Sequence, residues 1–69
     1  MNEKDFSWRI RKMRVERERS QRDLAELLGV DRTTVAGWET HRRTPDLFMI
    51  VKMADIFGVT IDNLVGRRM

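Results

Sequence analysis

Apolar residues in this chain recur every three or four positions, and no stretch alternates as a strand would. Phe6, Ile10 and Met13 form one such stripe, which places a first helix over Asp5 to Arg17 after a frayed start at Met1 to Lys4. Leu24, Ala25 and Leu28 form a second stripe. Ser20 and Asp23 stand before it: a hydroxyl to cap an orphan N–H and a carboxylate beside the positive helix end. Gly29 supplies the left-handed stop. Asp31 then opens a third helix, in which Val35 and Trp38 share one side. Arg32, Thr33, Ala36 and Gly37 share the other. Further on, Leu47, Ile50, Val51, Ala54 and Phe57 give a stripe that runs to Gly58. Phe48, Met49, Met53 and Ile56 widen it. Thr44-Pro45-Asp46 reads as its start, with Thr44 as the cap and Pro45 in the first turn. Thr60 caps a last short helix, Ile61 to Val65, and Gly66 to Met69 is a tail. The pattern predicts one all-α domain over residues 1–69, with five helices around a single core.

The second and third helices are joined by Gly29-Val30-Asp31 alone, too tight a turn for antiparallel packing. The third carries a small, polar outer face. This is the helix-turn-helix arrangement, whose second helix enters a DNA major groove.

Charge agrees in its placement more than in its sum. Fourteen basic residues against eleven acidic ones leave a net charge of +3, a mild excess. The basic residues crowd Arg9 to Arg22 and recur at Arg32, Arg42 and Arg43, either side of the third helix. A chain of 69 residues buries only about 60% of its unfolded surface, so the core is small. Cysteine is absent and histidine occurs once, at His41, so neither a disulfide nor a metal site is expected. No cofactor and no small-molecule ligand is expected either. No apolar run is long enough to span a bilayer, and no signal-peptide-like segment stands at the N-terminus. A cytoplasmic location fits. Paired carboxylates at catalytic spacing and a phosphate-cradling glycine loop are missing, which argues against an enzyme.

Gln21, Leu24-Ala25, Gly29-Val30, Val35 and Trp38-Glu39, followed by Pro45, resemble the phage-repressor/Cro-type (XRE-like) helix-turn-helix family. Phe6, Ile10, Met13 and Arg14 match its first helix; Leu47, Ile50, Ala54, Phe57-Gly58-Val59 and Ile61-Asp62-Asn63-Leu64 match its last two. The resemblance implies a five-helix, lambda-repressor-like DNA-binding fold. It also implies an ion pair between Arg14 and Glu39 that ties the first helix to the third. The chain departs from the family pattern at four places. Glu18 and His41 stand where glycine is common, and Arg19 where an apolar residue is. Arg19 is therefore expected to pack its aliphatic stem. Gly37 stands where a long polar side chain is frequent, and reads either as close backbone approach to DNA or as a tolerated gap.

Roles follow for the binding residues. Arg32 and Thr33 correspond to family positions that reach into the groove; with Ala36 and Gly37 they make the base-reading set. Arginine there can pair with guanine O6 and N7, the alternative being a contact to phosphate alone, and Thr33 and Ala36 can offer methyl groups to thymine. Gln21, at a helix N-terminus where an anion is favoured, is expected on phosphate. Arg22, Thr34, Arg42, Arg43 and Arg11 complete the phosphate set. Trp38 is core. Trp8 lies off the first stripe, as a partly exposed ring or a partner contact. The expected activity is sequence-specific binding of double-stranded DNA by a transcriptional regulator. The expected form is a repressor acting as a homodimer on a pseudo-palindromic operator. Phe48, Met49, Ile61, Val65 and Met69 are the candidate dimer surface. The alternative is a protein-interaction module on the same fold, antitoxin-like or an anti-repressor partner.

Overall fold

The computed structural model describes residues 3–66, and places five helices there: α1 (Glu3–Glu16), α2 (Gln21–Leu28), α3 (Arg32–Glu39), α4 (Leu47–Phe57) and α5 (Ile61–Val65). No strand occurs among the described residues. Of the proposed dimer surface, Met69 lies outside them. α2 packs chiefly on α3, α1 closes over α3 and α5, and α4 lies against α5 and α2. Phe6, Ile10 and Met13 of α1 enter one core with Leu24, Ala25 and Leu28 of α2 and Val35 and Trp38 of α3. Met53, Ala54 and Phe57 of α4 and Leu64 of α5 complete it. α3 is thus held by a buried edge while its other side faces outward.

Helix ends carry much of the local specification. The Ser20 hydroxyl accepts from the Asp23 N–H at 3.0 Å, and the Asp23 carboxylate accepts from the Ser20 N–H at 2.9 Å. This reciprocal cap satisfies two orphan donors. The bond from the Ser20 backbone, and then its hydroxyl, holds the Asp23 carboxyl below its ordinary pKa. Asp46 and Thr60 cap α4 and α5 through Met49 N–H at 2.9 Å and Asn63 N–H at 3.0 Å. Asp31 stands at the cap position of α3 without a side-chain cap bond.

The first four helices all close with the same pair of backbone bonds. After α1, Glu18 N–H reaches Val15 C=O and Arg19 N–H reaches Arg14 C=O. After α2 and α4, Gly29 with Val30 and Gly58 with Val59 repeat the pattern; after α3, His41 with Arg42 does. Each needs a left-handed residue. Gly29 and Gly58 supply it freely at φ 73° and 69°, whereas Glu18 and His41 are forced to φ 54° and 65°. A side chain costs about 1–2 kcal/mol there, partly offset by the greater unfolded-state freedom of glycine. Glu18→Gly is therefore expected to stabilise by about 0.5–1 kcal/mol. Thermal unfolding should show Tm rise by roughly 2–8 °C. A fall would mean that the Glu18 side chain contributes a contact that outweighs its backbone strain.

Several sequence expectations are corrected. α1 begins at Glu3, inside the expected frayed start. Arg19, expected to pack its stem, is exposed where it follows the left-handed Glu18. Asp46, not Thr44, caps α4, and Pro45 is a buried residue before the helix rather than in its first turn. Leu47 and Val51 are exposed, while Met53 is fully buried. α4 is apolar nearly all round, and the inner side is chosen by the helices that meet it. The sequence singled out neither Arg17 nor Lys52 for a bond to another helix, and each makes one. Arg17 donates to Phe57 C=O at 2.8 Å and Lys52 to Leu28 C=O at 3.3 Å, each serving the last turn of another helix.

Candidate nucleic-acid interface

The outer side of α3 follows from its short sequence. Val35 and Trp38 are drawn into the core, which turns Arg32 and Thr33 outward and leaves Ala36 half-exposed. An open concavity of about 470 Å³ lies along this side. Arg32, Thr33, Ala36 and Gly37 line it from the helix, and Thr40, Arg42 and Arg43 from its end and the loop beyond. The whole expected base-reading set and two of the expected phosphate ligands thus share one surface. Gly37 differs from expectation in one respect: it is buried, because the stem of Arg43 covers it. Thr34 lies on the neighbouring flank, beside Trp38, Arg43 and Pro45.

Four side chains hold this helix in place. Arg14 grips Glu39 with two parallel bonds, Nε to Oε2 at 2.7 Å and Nη2 to Oε1 at 3.0 Å. The Glu39 side chain is 2% exposed and that of Arg14 12%. The same guanidinium donates from Nη1 to Arg19 C=O at 2.7 Å, just before α2. Hydrogen bonding to Glu39 raises the Arg14 pKa above its ordinary value against a smaller loss from burial, so it stays charged. Gln21 Nε2 donates to Glu39 Oε1 at 3.2 Å, and Gln21 Oε1 accepts from Arg32 Nη1 at 3.0 Å. Carboxylate on one side and guanidinium on the other fix which way the carboxamide points. Gln21, expected on phosphate, here links the buried ion pair to the first residue of α3. A contact across eighteen residues has no local sequence signal.

The remaining expected residues lie apart. Arg22 is exposed on the first turn of α2. Arg11 lines a separate concavity on α1 with Trp8, Lys12, Val15 and Glu16. Trp8 is 56% exposed and carries the Lys12 ammonium 5.0 Å from its ring centre. Of the candidate dimer residues, Phe48 is 81% exposed and Ile61 is exposed, while Met49 and Val65 are half-buried against the core. Leu47 and Val51 join Phe48 outside, which the sequence pattern had assigned inward. Among the described residues no group of three or more histidine, cysteine or acidic side chains could hold a metal ion. None of their helices is long and apolar enough to cross a membrane.

Comparison with known proteins bears on the family and the fold. The helix-turn-helix family model matches residues 10–64. The chain is 37% identical over 59 residues to the HTH-type transcriptional regulator AnsR of Bacillus subtilis, covering 86% of this chain and 51% of AnsR. It is 38% identical over 61 residues to the cryptic phage CTXphi transcriptional repressor RstR of Vibrio cholerae, covering 88% and 55%. The chain thus spans about half the length of these two relatives. Among solved structures, the restriction-modification controller protein C.AhdI of Aeromonas hydrophila superposes with a TM-score of 0.83 at 34% identity. That match covers 90% of this chain and 94% of C.AhdI. The chain belongs to the XRE-like helix-turn-helix family of DNA-binding transcriptional regulators.

Proposed function

We propose that this member of the family is a sequence-specific regulator, a repressor that binds double-stranded DNA as a homodimer on a pseudo-palindromic operator. The observation that carries the reading is the shared surface of Arg32, Thr33 and Ala36 with Arg42 and Arg43, on a helix whose inner edge is anchored in the core. Base edges are read by the first group, and phosphates are met by Gln21, Arg22, Thr34 and Arg42 around it, with Arg11 further out. The relatives named as a phage repressor and as a restriction-modification controller support the regulatory role. Exposed Phe48, Leu47, Val51 and Ile61 support association through α4 and α5. Two copies place two recognition helices about one helical turn, roughly 34 Å, apart.

Enrichment of genomic duplex fragments by the purified protein, followed by sequencing, tests this. The enriched sequences should contain an inverted repeat with half-site centres about ten base pairs apart. Arg32→Ala should relax the preference at one position per half-site by roughly 5- to 150-fold. Sites without an inverted repeat would remove the homodimer. An unchanged preference would remove Arg32 from the reading set. Protein that enriches no duplex, even at low ionic strength, would leave the protein-interaction alternative in its place.

A further inference from the structure

Gly37 decides where Arg43 lies. A Cβ on Gly37 would stand 3.1 Å from both Cγ and Cδ of Arg43 and 3.5 Å from its Cβ. The aliphatic stem of Arg43 therefore fills the space that a side chain at position 37 would enter. The backbone fixes the same seat. The Gly37 carbonyl accepts from Arg42 N–H at 2.9 Å and from Arg43 N–H at 3.1 Å. Arg43 borders both concavities of α3, the one lined by Arg32 and Thr33 and the one lined by Thr34. Its guanidinium takes part in no hydrogen bond or ion pair among the described residues. Glycine within a helix is unfavourable, and here the missing Cβ has a definite use.

We propose that Arg43 reads a base edge, delivered from the loop in place of the side chain that Gly37 lacks. The inference rests on the DNA-binding reading above and moves Arg43 from the phosphate set to the base-reading set. Seating its stem on α3 fixes the head beside the groove face with little freedom left to lose on docking. A planar guanidinium held there matches guanine, whose O6 and N7 accept two parallel N–H bonds. Gly37 acts as a positioning residue, with no contact to DNA of its own required.

Duplex enrichment with the wild type, Arg43→Lys, Gly37→Ala and the double variant decides the matter. Lysine keeps the charge and loses the planar fork. Arg43→Lys should lower a guanine preference at one position per half-site by roughly 5- to 150-fold while the salt dependence of binding stays as it was. Gly37→Ala favours the helix locally but crowds the stem of Arg43. It should weaken the same preference at the same position, and adding Arg43→Lys to it should cost little more. If Arg43→Lys leaves every base preference intact, Arg43 contacts phosphate only and the inference falls, with DNA binding untouched. If the wild type enriches no duplex, the DNA-binding reading falls and takes this inference with it.

Discussion

Arg14→Ala is expected to destabilise the domain by about 3–5 kcal/mol. Its partner Glu39 has a side chain only 2% exposed, and without the guanidinium its carboxylate keeps, among the described residues, a single side-chain donor, Gln21 Nε2. The cost is that of a buried charge left without its counter-ion, rather than the net worth of the pair. A domain of 69 residues has about 3–10 kcal/mol of stability in total, so the loss takes much of it. Denaturant and thermal unfolding should show a Tm lower by roughly 12 °C or more. Arg14→Lys should fall between the two, because an ammonium supplies charge without the two parallel bonds. Replacing both partners by apolar residues of similar volume should recover most of the loss. A loss below about 1 kcal/mol would mean that the pair behaves as a solvated surface bridge and that α3 is tied to α1 by packing alone.

Affinity for a matched duplex should fall by about 10³-fold between 50 and 200 mM salt. On the proposed reading each protomer brings Arg22 and Arg42 beside α3 and Arg11 further out on α1, with Gln21 and Thr34 as neutral donors, and a homodimer doubles the set. Each phosphate neutralised contributes about −0.9 to the slope of log K against log salt. Arg42→Ala should weaken binding to all sequences alike and reduce the magnitude of that slope by about 1 per protomer. A titration of affinity against salt checks both statements. A slope that Arg42→Ala leaves unaltered would show that the loop faces away from the duplex.

The five helices were legible because their stripes and stops are local. Ser20 with Asp23, Gly29 and Gly58 each do in the structure what their chemistry suggests, since a hydroxyl cap and a left-handed glycine depend on few neighbours. The cap of α4 was harder to read. Thr44 and Asp46 both suit a cap, and Pro45 suits either choice, so only the fold decides. The inward side of α4 was equally ambiguous, because a helix apolar on every side offers several stripes of similar strength. At the candidate interface the outward residues of α3 followed from the burial of Val35 and Trp38. The link from Glu39 through Gln21 to Arg32 did not, because each step joins separate helices. Nor did the seat of Arg43, since a missing side chain does not say what fills its place.

One guanidinium touches three places at once: through Arg14 the end of α1, the strap before α2 and the end of α3 are joined. The practical result is thermodynamic. A surface locked before it meets its target has little internal disorder left to surrender on contact, so more of the gross attraction survives as affinity. Loosening that single clamp would leave every outward side chain of α3 in the sequence and still tax each encounter with the entropy of reassembling them.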